Sequence, residues 1–454
     1  MTFKILLPNS GYSKQILKLA LPVIAGLSTQ MILSLVDTAM VGRLENPKYT
    51  LAAMGLGLLA TWAVVSVCSS LSTGTHVLVA RRFGEQDYNA ISGVLFNSLL
   101  LTFVIGSLLA VLGWQTALTV SDFLSKDNQV AEYAAEYMKW RYLGLPFFMI
   151  TVSFRGFFFG TGNTKIFMFS AILINLLNIL FNYAFIFGKF GAPKMGIAGA
   201  SFASSLATMV DAIYYFVVFF GFKEFRVVYR FSKNLKLIPK VLSTILKLSI
   251  PVSFQNVFIL IGFLSFIAIT GLLGITQQAA SQAIISTLFL SFLPSNGFGV
   301  AGQTLVGNSV GKGDIVEAKK FGYETAKLAS IYTLSLAVIF IFVPEALLYI
   351  TTNESTVIEA AIPAMRFAGV AQIFFGAGVV LAYGLQSVGK TTFVMFVEVF
   401  TNLMILVPFA YFIGVYLEFG LPGAWSALIL YTTSYLTLMF LKFHKGNWNN
   451  LEKI

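Results

Sequence analysis

Charge is scarce in this chain. Only 11% of its 454 residues are Asp, Glu, Lys or Arg, where a soluble domain carries about 25%. A surface so poor in charge cannot be solvated by water, but it can face lipid. Cysteine is scarcer still: Cys68 stands alone, which excludes an intrachain disulfide and a cysteine-based structural metal set. His76 and His444 are the only histidines, too few and too separated in sequence for a metal site, so none is expected. No soluble stretch is long enough for an ATPase domain. The segment Gly384-Leu-Gln-Ser-Val-Gly389-Lys390-Thr391 fits the phosphate-loop pattern G-x-x-x-x-G-K-[ST], yet that loop must follow a parallel strand and open a helix in a nucleotide-binding domain. Here it joins two apolar segments, and its counterpart at Gly162-Asn-Thr-Lys165 lacks the pattern. The match is chance, and the chain reads as non-enzymatic and free of cofactors.

What is present is apolar. Hydrophobic residues make up 57% of the chain and the mean hydropathy is +0.82. Many apolar segments reach the roughly 20 residues that cross a bilayer as a helix. A membrane β-barrel would instead alternate apolar and polar residues in segments of about 10; runs such as Val94 to Trp114 are apolar on every face. The expected fold is all-α, with spans near 16–41, 51–80, 91–114, 134–159, 166–188, 196–221, 241–271, 280–306, 318–343, 360–387, 392–416 and 421–442. The first of these is too long for a signal-peptide core and no small-residue cleavage site follows, so it reads as a true span.

The net charge of +11 does not point to nucleic acid, because the basic residues build no continuous patch with interleaved aromatics. They sort by loop instead. The N-terminus, every second loop and the C-terminus hold 20 of the 30 Lys and Arg, among them Lys4, Arg81, Arg82, Lys165, Lys233, Lys390 and Lys453, whereas the alternate loops hold five. The positive-inside rule then places both termini in the cytoplasm of an inner-membrane protein. The longest basic segment, Lys223 to Lys247, falls near mid-chain and suggests a linker (223–247) between an N-terminal lobe (1–222) and a C-terminal lobe (248–454).

A repeat supports that division. Lys18-Leu-Ala-Leu-Pro-Val23 answers Lys247-Leu-Ser-Ile-Pro-Val252. Leu78 to Asp87 answers Leu305 to Asp314, Gly162 to Met168 answers Gly389 to Met395, and Ile197-Ala-Gly-Ala200 answers Leu421-Pro-Gly-Ala424. Six spans per half makes the repeats parallel, and in transporters that arrangement puts the substrate site in a central cavity between the halves.

Polar residues inside the spans form stripes. Gln30, Ser34 and Asp37 share one face of the first span, with Asp37 roughly 7–8 Å below its outer end at 1.5 Å per residue. Asn175, Asn178 and Asn182 form a second stripe on span five; Ser201, Ser204, Thr208 and Asp211 form a third on span six. Desolvation favours the neutral form of a carboxylate, so acids in such a place suit proton binding and release, and the same oxygens suit Na⁺. The alternative is that these stripes only bond helices together. In the second half Glu398 and Asn402 share a face of span eleven, with Gln255, Asn256, Gln278, Gln282 and Gln372 as an uncharged polar surround. Asp211, Glu398, Gln255 and Gln282 are candidates for a second ion or substrate site; pairing of Glu398 with Arg366 or Arg155 is the structural alternative. Pro22 and Pro251 stand at equivalent points of spans one and seven, where each loosens a helix. Aromatics near Tyr142, Phe147 and Phe154 are candidates for a drug-cavity lining.

These residues resemble the multidrug and toxic compound extrusion (MATE) family across essentially the whole chain. The resemblance is carried by Leu19-Ala-Leu-Pro-Val23, Val36-Asp-Thr-Ala-Met-Val-Gly-Arg43, Gly74 to Asp87, Ser249-Ile-Pro251, Gly297-Phe-Gly-Val-Ala-Gly-Gln-Thr-Leu-Val-Gly-Asn308 and Gly311 to Asp314. The Val-Asp-Thr-Ala stretch looks like the DinF branch, whereas Asn178-Ile-Leu-Phe-Asn182 looks more like the NorM branch. The resemblance implies a monomeric secondary transporter that exports organic, often cationic or amphipathic compounds in exchange for H⁺ or Na⁺. It further implies an ion site at Asp37, Asn178, Asn182 and Ser204. The acids of the NorM-type second-lobe Na⁺ site correspond here to apolar positions, Ile259 and either Phe375 or a neighbour of it. A lipid or lipid-linked-precursor flippase of related architecture is the alternative; a wide basic cavity open to lipid would distinguish it.

Overall fold

The computed structural model describes residues 8–231, 235–446 and 448; Lys4, Lys233 and Lys453, counted above for topology, lie outside them. Every regular element among the described residues is helical. The spans are α1 Ser10–Val41, α2 Pro47–Gly84, α3 Tyr88–Leu124, α4 as the bent pair Asn128–Leu143 and Leu145–Gly160, α5 Thr164–Phe187, α6 Gly196–Gly221, α7 Pro239–Leu272, α8 Ile275–Gly311, α9 Ile315–Phe342, α10 Ser355–Ser387, α11 Thr391–Tyr416 and α12 Gly420–Lys445. Eleven are single helices long and apolar enough to cross a membrane, and the bent pair makes twelve. This is a multi-pass membrane protein.

The helix ends follow from local chemistry. Asp87 and Asp314, matched in the repeat, cap α3 and α9 through bonds from the Ala90 and Glu317 backbone N–H at 3.0 and 2.8 Å. Asp127 caps α4 in the same way. Gly162 and Gly389, another matched pair, adopt φ of 75° and 80°, a left-handed turn that glycine enters without a Cβ clash. The phosphate-loop look-alike is thereby explained as the turn from α10 into α11. Capping predicts a measurable cost: Asp314→Ala is expected to destabilise the purified protein by about 1 kcal/mol, read as a lowered thermal midpoint, while Asp314→Asn should lose little.

Span four differs from a single straight helix over 134–159. It bends by 48° at Gly144, because Pro146 has no backbone N–H to give the preceding turn. At the bend the Gly144 N–H donates to the Arg141 carbonyl at 3.2 Å, and Ser205 of α6 donates to the Trp140 carbonyl at 2.7 Å. In the loops nearby, Lys194 donates to Glu45 at 2.8 Å and that hydrogen bond holds the exposed Glu45 carboxyl below its ordinary value.

The chain folds as two compact units, Ala25–Ser253 and the remainder, in which the chain up to Ile24 joins Phe254 onward. The dividing points thus lie within α1 and α7, just past Pro22 and Pro251, and differ from the boundaries drawn on the basic segment. That segment is part helix: Lys223–Tyr229 is one short helix and α7 begins at Pro239. In the Ala25–Ser253 unit an aromatic core joins Phe154, Phe157, Phe158, Tyr215 and Phe219, with Phe154 stacked on Tyr215 at 5.6 Å. Phe154 is fully buried there and lines no open surface; Tyr142 is buried as well. In the other unit α10 presents Ala361, Ala364, Ala368, Gly369 and Gly376, all buried. Small side chains let helix backbones approach where lipid supplies no hydrophobic drive for association. Trp425 fills the space beside Phe266 and its indole N–H donates to Ser281 at 3.1 Å.

Candidate functional site

In the Ala25–Ser253 unit, α1, α5 and α6 bring four polar side chains into one chain of hydrogen bonds. Asn182 Nδ2 donates to Asp37 Oδ1 at 2.6 Å and to Asn178 Oδ1 at 2.7 Å; Asn178 Nδ2 donates to Ser204 Oγ at 2.9 Å. The helical spacing of Asn178 and Asn182 explains why both face the same neighbours. Both asparagines are buried, whereas Asp37 is half-buried. Asn182 Oδ1 is buried with no hydrogen-bond partner among the described residues, an acceptor beside a carboxylate. No Lys, Arg or His nitrogen lies within 4 Å of the Asp37 carboxylate among the described residues. Arg141 of α4 attracts it electrostatically without an ion pair, and Tyr137 of α4 lies near enough to feel the Asp37 charge. Neither residue stood out in the sequence. Gln30 and Ser34 are exposed, and it is Thr29 that meets α5, accepting from Asn175 at 2.7 Å.

Asp211 is in a different place. Its Oδ1 accepts from Ser170 at 2.5 Å, and Arg155 Nη2 stands 3.8 Å from Oδ2. Arg155 in turn lies over the Phe148 and Phe167 rings at 5.8 and 5.3 Å, contacts that hold a guanidinium in an apolar setting. The third stripe is therefore split: Ser204 joins Asp37, and Asp211 joins a basic partner.

In the other unit Glu398 is the buried acid. Its Oε1 accepts from Asn402 at 2.7 Å and from the Tyr431 hydroxyl at 2.6 Å; its Oε2 accepts from Gln255 at 3.3 Å. Gln386 donates to Gln255 Oε1 at 3.2 Å. Arg366 is exposed and Arg155 belongs to Asp211, so neither pairs with Glu398. Gln282 is exposed and outside this network, and Gln372 instead accepts from Ser291 at 2.5 Å. Phe375 packs on Phe292. Just beyond Glu398, α11 widens into π-helical turns at Thr401–Leu406 and Phe412–Tyr416, a distortion frequent at functional sites. Among the described residues no three His, Cys, Asp or Glu gather as a metal site would require.

The chain is similar to known proteins over most of its length. A probable multidrug resistance protein NorM of Thermotoga maritima is 29% identical over 438 residues, covering 96% of this chain and 93% of its own. A NorM of the same description from Pseudomonas putida is 27% identical, covering 92% and 91%. Among solved structures, a MATE transporter in complex with MaL6 superposes with a TM-score of 0.87 at 22% identity over 98% of each chain. A transporter of the MOP superfamily from Pyrococcus furiosus, whose structure is described as having reversed polarity of its binding pocket, gives 0.84 at 20% identity, over 95% of this chain and 94% of that one. These likenesses establish the fold. The MatE family description matches twice, at residues 22–184 and 251–412, one match for each half of the repeat read from the sequence. With most of the chain matched, the conclusion is direct: it belongs to the MatE family.

Proposed function

We propose that this protein exports organic, cationic or amphipathic compounds across the inner (plasma) membrane, in exchange for H⁺ or Na⁺, by alternating access. Both termini are cytoplasmic in this reading, since the basic residues concentrate in the termini and every second loop. The protein acts as a monomer, and the coupling cation binds at Asp37 with Asn178, Asn182 and Ser204. The observation that carries the assignment is the bond from Asn182 to the Asp37 carboxylate in a span where no basic side chain among the described residues pairs with that acid. A carboxylate in a membrane span is disfavoured by about 2.5–3.5 kcal/mol on insertion scales, so an acid kept there without a counter-ion is read as serving transport. Asn182 Oδ1, an acceptor without a partner, supplies a further oxygen for either cation.

The test is export from proteoliposomes. A fluorescent organic cation such as ethidium is followed under an imposed pH gradient, under an imposed Na⁺ gradient, and under neither. Acceleration by one of them identifies the coupling ion. Equal rates in all three conditions would refute coupled antiport.

A further inference from the structure

We propose that Glu398 is a proton-binding carboxyl belonging to the second unit, and that Gln255 and Gln386 register its protonation state. The site lies on α11, away from the positions where the family resemblance would put a second-lobe acid, which are Ile259 and either Phe375 or a neighbour of it here.

Three observations carry this. The first is position in the repeat. The Asp37 network uses the first, fifth and sixth helices of its half; Glu398, Gln255 and Tyr431 lie on α11, α7 and α12, the fifth, first and sixth helices of theirs. By the match of Ile197–Ala200 to Leu421–Ala424, Ser204 answers Leu428, and Tyr431 lies about one turn further along the same helix. Each half therefore ties the same three helices together through one carboxylate. The acid sits on the first helix in one half and on the fifth in the other.

The second is the chemistry of the surround. The groups bonded to the carboxylate are neutral donors: an Asn402 amide, a Tyr431 hydroxyl and a Gln255 amide, with the Tyr435 hydroxyl beside them. The titratable groups that face it among the described residues are phenols, Tyr431 and Tyr435 of α12, with Tyr383 of α10 next to Tyr435; α7 brings Gln255 and α11 brings Asn402. A metal cation needs converging oxygens, and here N–H and O–H groups converge instead. A proton needs only the carboxylate itself. The fit around it is close, since a Cβ at Gly262 would come 2.5 Å from Asn402 Oδ1.

The third is a readout. Ionised, Glu398 accepts three hydrogen bonds. Protonated at Oε2, it becomes a donor and needs an acceptor. Gln255 meets that need by turning its amide, which withdraws the Oε1 that accepts from Gln386. Proton uptake thus reverses the donor in the existing α7–α11 bond and takes away the acceptor that Gln386 of α10 uses on α7.

Infrared difference spectra of the full-length reconstituted protein after pH jumps test this, through the C=O band of protonated carboxyls. Wild type should show a titrating band that persists in Asp37→Asn and is lost in Glu398→Gln. Tyr431→Phe should keep that band and move its midpoint by about one to two pH units, the equivalent of a hydrogen bond to a charged group. Titrating bands identical in wild type and Glu398→Gln would overturn the proposal, as would an unmoved midpoint in Tyr431→Phe. The Asp37 assignment is read separately: a spectrum unchanged by Asp37→Asn, with the Glu398 band still present, removes Asp37 as a proton site and leaves this one standing.

Discussion

Vesicles carrying Asp37→Asn should contain as much folded transporter as wild type, yet export ethidium no faster under the coupling gradient than without it. Asparagine has the volume of aspartate, and its Oδ1 still accepts from Asn182, so the bond now made at 2.6 Å has a neutral equivalent. Removing a charge from a span relieves desolvation, so insertion and thermal stability should hold or improve. What disappears is the ability to bind and release a cation, and with it every cycle driven by the gradient. Ethidium binding to the detergent-solubilised variant should survive, which separates lost coupling from a damaged substrate site. Asn178→Ala touches Asp37 only through Asn182. It should weaken the apparent affinity for the coupling ion by about 0.5–1.5 kcal/mol, a factor of roughly two to ten. Gradient-driven export at the wild-type rate in Asp37→Asn would remove this acid from the mechanism.

The Asp37 cluster was legible in the sequence because an acid in an apolar span is conspicuous on its own, and because asparagines spaced i, i+4 must share a face. Periodicity names the face, though, and leaves open which neighbour it meets. Ser28, Thr29 and Gln30 offer polar groups on three successive faces, and only packing decides that Thr29 meets α5. The stripe from Ser201 to Asp211 covers about 15 Å of helix axis, long enough to serve two levels, and so it divides between Asn178 and Arg155. Arg141 and Tyr137 fall inside the stretch read as span four, 134–159, and nothing in the sequence says which helix they face; the 48° bend at Gly144 is what α4 adds there. The first π-helical turn after Glu398 has no sequence mark within it, since Thr401-Asn-Leu-Met-Ile-Leu406 contains neither proline nor glycine, though Pro408 follows two residues later. The helix count, by contrast, follows from lengths of apolar sequence that only a bilayer requires, and the repeat is visible because turns and caps demand the same residue types in both halves.

Arg155→Met should destabilise the protein strongly, and adding Asp211→Asn should recover most of the loss. Asp211 has a fully buried side chain, while that of Arg155 is 19% exposed. Removing the base leaves a buried carboxylate with Ser170 alone for company. Breaking a buried pair from one side costs about 3–5 kcal/mol. The partial exposure of Arg155 and the 3.8 Å separation put this case toward the lower end. Methionine keeps the aliphatic contact with Phe148 and Phe167 but forfeits the cation–π attraction, so the double variant should fall slightly short of wild type in a thermal-melt assay. The prediction that discriminates concerns transport: the double variant, once folded, should still couple export to the gradient, because the charge it lacks was held by a base and not offered to an ion. Were Asp211→Asn alone to melt like wild type and yet lose coupling, Asp211 would be a transport carboxylate and Arg155 the group that releases it.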